Sequence, residues 1–170
     1  MRGSASHTPC RIYLADLANT YYGVSPGTIP LAVGYIAAYL KKKYGGRVEI
    51  TLFRSLRPLL EAAKQGAPDI AGFSIYAWNP RLTNLATRLI KQISPRTLTV
   101  AGGPAVELVE SMNHEYLSRN PHMDFLVWHE GEIAFSNIVG SFLEHGEIGE
   151  VKQQLIEGGC FLQDGQLVSG

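Results

Sequence analysis

The stretch Pro68-Asp69-Ile70-Ala71-Gly72-Phe73-Ser74 decides the fold class, because a short apolar run stops abruptly at a small polar residue. Two later stretches have the same form, one ending in Val100-Ala101-Gly102-Gly103-Pro104 and one in His129-Glu130-Gly131-Glu132. Continuous apolar runs of this length are typical of parallel strands buried on both faces. Together they predict one crevice lined by several strand ends, the usual ligand site of an open α/β sheet.

Strand-like and helix-like segments alternate five times along the chain. The predicted strands are 11–17, 48–52, 70–77, 97–101 and 123–128. The predicted helices are 30–43, 56–65, 80–94, 106–117 and 133–143. Such alternation requires parallel strands with right-handed crossovers. We therefore predict an α/β, Rossmann-like (flavodoxin-like) fold, with a five-stranded parallel sheet and helices on both faces.

The two ends of the chain differ from the alternating segment between them. Residues 1–9 lack the apolar core of a signal peptide, so we interpret them as a leader or a disordered start. The domain itself is predicted over 10–145. Residues 146–170 are polar and glycine-rich, with a small hairpin predicted around Asp164-Gly165. We interpret this tail as a linker towards a further domain.

Composition excludes several classes of function. Fifteen basic and fifteen acidic residues are spread along the chain, so no like-charged block indicates a nucleic-acid or anionic membrane surface. The apolar stretches are too short for a transmembrane helix. Cys10 and Cys160 have no nearby cysteine partner, which favours a reducing cytoplasm and argues against an iron–sulfur cluster held by this chain.

The predicted strand ends carry residues that admit both a ligand-binding and a structural interpretation. Tyr21 and Tyr22, in the long loop after the first strand, offer flat area to a planar ligand or pack on the sheet. Ser74 can donate or accept a hydrogen bond at the third strand end. Tyr76 and Trp78 either wall a pocket or cover the sheet.

Other strand-end residues have structural interpretations that require no ligand. Asn79 is a good N-cap for the helix that follows it. Gly102-Gly103 permits either close backbone approach to a ligand or a tight turn. Glu132 at the start of the last helix is favoured by the helix dipole. His129 is better explained as a hydrogen-bonding group than as a metal ligand.

Several familiar motifs are absent from the sequence. The first strand is not followed by G-x-G-x-x-G, and the chain has neither a P-loop nor a G-x-S-x-G nucleophile elbow. Phosphate cradling of the usual kinds is therefore disfavoured.

Four motifs in order resemble a known family. They are Pro-Leu-x-x-Gly-Tyr-Ile-Ala-Ala-Tyr-Leu at 30–40, Pro-Asp-Ile-x-Gly-x-Ser at 68–74, Ala-Gly-Gly-Pro at 101–104 and Glu-Gly-Glu at 130–132. This order is similar to the N-terminal cobalamin (B12)-binding domain of B12-dependent radical SAM proteins. The resemblance covers residues 11–143.

The resemblance implies that cobalamin lies across the carboxyl edge of the sheet, with its dimethylbenzimidazole tail in a cleft beside the strands. Ser74, Gly102 and Gly103 would line the tail cleft, and the segments 20–23, 76–79 and 129–132 would face the corrin. The cofactor-binding positions implied in this way are Thr20, Tyr21, Tyr22, Gly23, Ser74, Tyr76, Trp78, Asn79, Gly102, Gly103, Pro104, His129, Glu130, Gly131 and Glu132.

One departure from related cobalamin proteins bears on cobalt coordination. Methionine synthase and the B12 mutases carry Asp-x-His-x-x-Gly after the first strand, and that histidine binds cobalt. Here Asp16 is followed by Leu17 and Ala18, and no histidine occurs as far as Gly27. We therefore predict base-off cobalamin with no histidine lower ligand from this loop and no metal ligand from the chain.

The cluster motif C-x-x-x-C-x-x-C of the radical SAM family is also missing. The resemblance therefore implies a binding module, with S-adenosylmethionine and the iron–sulfur cluster held by a C-terminal radical SAM domain. The parent activity expected from the family is methyl transfer or ring formation.

Two alternatives remain open at this stage. A flavin-binding or receiver-type module has the same fold class, although a receiver needs an aspartate where this chain has Ser74. The second alternative is a docking domain that has kept the fold and lost the cofactor.

Overall fold

The computed structural model describes residues 8–18, 30–106, 109–129 and 131–170. The strands are β1 (Cys10–Ala15), β2 (Val48–Phe53), β3 (Ile70–Ser74), β4 (Leu98–Gly102), β5 (Phe125–Val127), β6 (Gly159–Gln163) and β7 (Gln166–Ser169). The helices are α1 (Leu31–Tyr44), α2 (Leu56–Gln65), α3 (Pro80–Ile93), α4 (Glu110–Arg119), α5 (Glu132–His145) and α6 (Ile148–Val151).

Within the described residues, seven strands form one sheet in the order β2-β1-β3-β4-β5-β6-β7. The first five are parallel, as predicted, and β6 and β7 are antiparallel. The α/β fold class is therefore confirmed. The expectation of five strands is wrong, because the predicted tail hairpin pairs with the edge of β5 through Leu126 and Cys160. This pairing covers an edge that would otherwise expose unpaired backbone groups.

Helices cover both faces of the sheet, as the alternating pattern predicted. On one face α1 and α5 bury Val33, Leu40, Phe135 and Ile138 against the strands. The other face is covered by α2, α3 and α4, with Leu59, Ala63, Ala86, Ile90 and Leu117 in its core. The sheet thus separates two hydrophobic cores, as in a doubly wound fold.

Several predicted boundaries shift in the structure, three of them at the carboxyl edge. Strand β3 ends at Ser74 rather than residue 77, because the chain folds back on itself between Tyr76 and Asn79. Strand β5 stops at Val127, shortly before His129, whose φ of 59° lies in the left-handed region. Helix α4 begins at Glu110 rather than residue 106.

A buried polar network attaches the tail to the domain. The Asp124 carboxylate accepts the Thr99 backbone N–H at 2.9 Å and lies 2.6 Å from Lys91 Nζ. Lys152, which follows α6, places its Nζ 3.8 Å from the other carboxylate oxygen. Burial lowers the pKa of Lys152, against the raising effect of Asp124. One carboxylate therefore joins α3, β4, β5 and the tail; the predicted role of residues 146–170 as a linker stays a prediction.

Cys10 and Cys160 are buried free thiols, and burial raises the pKa of each to about 12. Among the described residues, no helix is both long and apolar enough to cross a membrane.

Candidate functional site

Sheet topology fixes where a ligand site lies. Strand β1 pairs with β2 on one side and with β3 on the other. The connections leaving β1 and β3 therefore run in opposite directions, to β2 and to β4, and a crevice opens above the carboxyl ends of β1 and β3. The predicted strand ends that the structure describes, after β3, β4 and β5, all lie at this same edge of the sheet.

A narrow apolar slot enters the crevice between the sheet and helices α1 and α5. It encloses about 50 Å³, which is room for one or two water molecules. The slot is lined by Leu14, Ala32, Val33, Ile36, Gly72, Phe73, Ser74, Val100, Gly102, Gly103, Val127, His129, Gly131 and Phe135. Ser74, Gly102 and Gly103 therefore come together at this slot; that they line a tail cleft stays a prediction.

Glycines keep this slot open. A Cβ added at Gly72 would lie 2.7 Å from the Phe135 ring, and one at Gly102 would overlap Val127. A side chain at either position would therefore collide with residues that line the slot.

The turn after β4 needs a second glycine for a different reason. Gly103 has a φ of 129°, and a Cβ there would lie 2.7 Å from the carbonyl oxygen of Ile75. The Ile75 N–H donates to the Gly102 carbonyl at 2.7 Å, and its carbonyl accepts from Ala105 at 3.2 Å. The Gly-Gly pair thus brings the β3 and β4 ends into close backbone contact.

A wider groove of about 770 Å³ continues the crevice towards β6. Its walls include Tyr39, Trp128, Ile133 and Glu157. The groove shares His129 and Gly131 with the slot. Slot and groove therefore adjoin at these two residues, near the carboxyl edge.

Two aromatic rings follow Ser74 at the end of β3. The Tyr76 and Trp78 rings stack with centroids 4.7 Å apart and an interplanar angle of 3°. Trp78 remains 58% exposed. This stack presents a flat apolar surface at the carboxyl edge.

Asn79 has a structural task. It occupies the N-cap position of α3, as predicted, but its amide turns back to three backbone groups instead of capping the helix. Its Oδ1 accepts the Tyr76 N–H at 2.8 Å, and its Nδ2 donates to the Leu17 and Ser74 carbonyls, each at 3.2 Å. The side chain therefore ties the end of β1 to the end of β3.

We expect Asn79→Ala to lower the free energy of unfolding by about 2–4 kcal/mol, because it removes three hydrogen bonds to backbone groups, two of them buried. Asn120→Ala is the matched control, since it removes one described hydrogen bond, to the Tyr116 carbonyl, and should cost about 1 kcal/mol. Urea denaturation of both variants measures the difference. Equal losses would contradict the tying role of Asn79.

The remaining predicted positions divide into three groups. Glu132 begins α5, as predicted, with Gly131 at the N-cap, and Glu132 Oε2 is buried without a hydrogen-bond partner among the described residues. Pro104 lies in the turn after Gly103. Residues 20–23 and Glu130 lie outside the described residues.

Sequence reasoning missed two features of the site. Gly72 lies inside a strand, a position that often marks close approach of another group, so the signal was present in the sequence. Arg54 pairs with Asp16 at the end of β1, and nothing in the sequence spacing indicated that contact. Within the described ranges, no group of three or more His, Cys, Asp or Glu side chains could hold a metal ion.

The sequence profile of the B12 binding domain matches residues 24–139, more than half of the chain. The chain belongs to the B12-binding domain family. This confirms the resemblance drawn from the four motifs.

Two curated relatives of this B12-binding domain are methyltransferases. One, from Streptantibioticus cattleyicolor, is named 2-(S-pantetheinyl)-carbapenam-3-carboxylate methyltransferase and is 31% identical over 117 residues, 65% of this chain and 16% of the relative. The other is the cobalamin-dependent radical SAM methyltransferase TokK of Streptomyces tokunonensis, 26% identical over 121 residues, 68% of this chain and 17% of TokK. The chain thus spans about one-sixth of the length of these relatives.

Solved structures agree on the fold. The cobalamin-dependent S-adenosylmethionine radical enzyme OxsB, with aqua-cobalamin bound, matches with a TM-score of 0.74 at 15% identity. The match covers 95% of this B12-binding domain and 22% of the OxsB chain. OxsB with both aqua-cobalamin and S-adenosylmethionine matches with a TM-score of 0.73.

Proposed function

We propose that this B12-binding domain binds cobalamin base-off, as the cofactor module of a radical SAM enzyme. The observation that carries the proposal is the apolar slot at the switch point, kept open by Gly72 and Gly102 and adjoining the wider groove at His129 and Gly131. A flat tail that enters the slot and a flat macrocycle over the groove match this shape. Relatives named as methyltransferases favour methyl transfer over ring formation as the parent activity.

The slot must widen to take a nucleotide base, since it encloses only about 50 Å³. Helix α1 forms its outer wall, and the polar contacts that join α1 to α5 lie at the far end of α1. There Lys43 Nζ donates to Ser136 Oγ at 2.8 Å and the Tyr44 hydroxyl donates to the Ser136 carbonyl at 2.7 Å. The start of α1, over the slot, is thus the end best placed to move outward.

Each part of the crevice has its own task in this proposal. The nucleotide tail is held by Ser74, Gly102 and Gly103. The corrin is faced by the Tyr76–Trp78 stack and His129. The corrin side also includes the segment 20–23, Glu130, Gly131 and Glu132. When bound, cobalamin supplies a cobalt centre that accepts and hands on a methyl group. The protein orients it and, since no histidine occurs between Asp16 and Gly27, leaves its lower face without an imidazole from this loop.

Two elements of the proposal concern the parent protein. Because the chain spans about one-sixth of its curated relatives, we propose a radical SAM domain as its partner, holding S-adenosylmethionine and the iron–sulfur cluster. A cytoplasmic location, favoured by the two lone cysteines, also stays a prediction.

Anaerobic titration with hydroxocobalamin, followed by gel filtration, tests the proposal. We expect about one corrinoid per chain to co-elute, with a base-off visible spectrum. A cob(II)alamin EPR spectrum with nitrogen superhyperfine splitting would overturn the base-off assignment. If no corrinoid is retained while flavin is, the flavin-binding alternative replaces the proposal; retention of neither favours a docking domain.

A further inference from the structure

A buried ion pair lies beside the crevice and was not among the residues that the motifs indicated. Asp16 directly follows β1 and Arg54 directly follows β2. Arg54 Nη1 lies 2.7 Å from Asp16 Oδ2 and 3.2 Å from the Asp16 carbonyl oxygen. The Asp16 side chain is only 12% exposed, and the Arg54 side chain is 20% exposed.

The backbone fixes the position of this pair. The Asp16 N–H donates to the Phe53 carbonyl, and the Ala18 N–H donates to the Arg54 carbonyl, each at 3.0 Å. These bonds extend the β1–β2 ladder past the strand ends. Opposite charges therefore face each other at a defined place on the carboxyl edge, beside the switch point.

The two charges also act on Tyr76, which lies just after the end of β3. Burial raises the pKa of Tyr76, the charge of Asp16 raises it further, and the charge of Arg54 opposes the rise. Burial also raises the pKa of Asp16 itself, although Arg54 works against it. The pKa of Tyr76 thus depends on both charges. The Tyr76 ring stacks on Trp78.

We propose that Arg54 cancels the charge of Asp16 beside the crevice, and that this balance keeps an unpaired charge from shifting how readily the cobalt of bound cobalamin is reduced. This inference rests on the proposed function. One-electron reduction of cob(II)alamin to cob(I)alamin by an external donor lowers the charge of the complex by one. A nearby positive charge favours that change and a nearby negative charge opposes it. The intact pair is neutral, so removing either member exposes the other.

The two single substitutions therefore have opposite expected effects. Asp16→Asn leaves the guanidinium unpaired and should raise the ratio of cob(I)alamin to cob(II)alamin several-fold at a fixed applied potential. Arg54→Met leaves the carboxylate unpaired and should lower that ratio several-fold. The double variant should return close to the unsubstituted domain, and Arg54→Lys, which keeps the charge, should stay near it.

Anaerobic spectroelectrochemical titration of the cobalamin-loaded domain measures these ratios, with circular dichroism as the test of folding. Arg57→Met is the matched control, because Arg57 forms an exposed pair with Glu61 on α2 and should leave the ratio unchanged. Shifts in the same direction for Asp16→Asn and Arg54→Met, or no shift in either folded variant, would overturn the inference.

A measurement without cofactor separates this inference from the proposed function. In the cofactor-free domain, NMR titration of ¹³C-labelled tyrosine, assigned with Tyr76→Phe, should show a raised pKa for Tyr76 in Arg54→Met and a lowered one in Asp16→Asn. If these shifts appear but the domain retains no cobalamin, the proposed function fails and the cobalt inference with it. If cobalamin binds and the tyrosine does not shift, the inference alone is overturned.

Discussion

Val33→Phe should weaken cobalamin binding by at least about 100-fold, while leaving the affinity for cobinamide within about threefold. Val33 lies on α1, is fully buried and lines the apolar slot. A phenyl ring at this position fills the space proposed for the nucleotide tail. Burial of an aromatic group removes about 150–250 Å² from water, and each 1.4 kcal/mol of lost binding energy is about tenfold in affinity. Cobinamide lacks the nucleotide tail, so the substitution removes nothing from its binding.

Parallel titrations with the two corrinoids measure this difference. Ala38→Phe is the control variant, because Ala38 lies on the exposed face of the same helix and should change neither affinity. Equal weakening of cobalamin and cobinamide by Val33→Phe would show that the tail does not enter the slot. Undiminished cobalamin binding by Val33→Phe would also show that the tail does not enter the slot.

Gly103→Ala should lower the free energy of unfolding by about 3 kcal/mol or more, and cobalamin binding with it. The φ of 129° is strained for any residue with a side chain. In addition, the new Cβ would lie 2.7 Å from the Ile75 oxygen, a backbone atom held by its own hydrogen bonds. The β3 and β4 ends must then separate, which distorts the tail side of the crevice.

Gly146→Ala isolates the backbone contribution. Gly146 also has a positive φ, 74°, but a Cβ there would meet no atom within 4 Å. We expect a loss of about 1 kcal/mol from the φ penalty alone, measured by urea denaturation beside Gly103→Ala. A Gly103→Ala loss no larger than that of Gly146→Ala would mean that the close contact with Ile75 relaxes freely.

The pattern of apolar residues over short stretches of the chain explains why much of the architecture could be predicted from the sequence. Helix α2 was predicted with its observed bounds, Leu56–Gln65, because an apolar period of about 3.6 residues ends at a glycine. The five parallel strands follow from the alternation with helices, and the convergence of Ser74 and Gly102 follows from parallel strands ending at one edge. Motif order then indicated the family.

Pairings between distant residues could not be predicted in the same way. The tail hairpin was foreseen from Asp164-Gly165, but its addition to β5 depends on contacts such as Leu126 with Cys160, which no local pattern encodes. Likewise, Asn79 at the start of a helix suggests a cap, whereas its amide is drawn to the Leu17 carbonyl, 62 positions away.

The sequence by itself determined the fold class, the strand ends that carry the crevice and the absence of a histidine between Asp16 and Gly27. These depend on residue type and periodicity along the chain. Only the tertiary structure decided the seven-stranded sheet, the glycine-floored slot against α1 and the Asp16–Arg54 pair. The reason is physical: shape and field at the crevice arise where elements far apart in sequence pack together, and packing is a property of the whole domain.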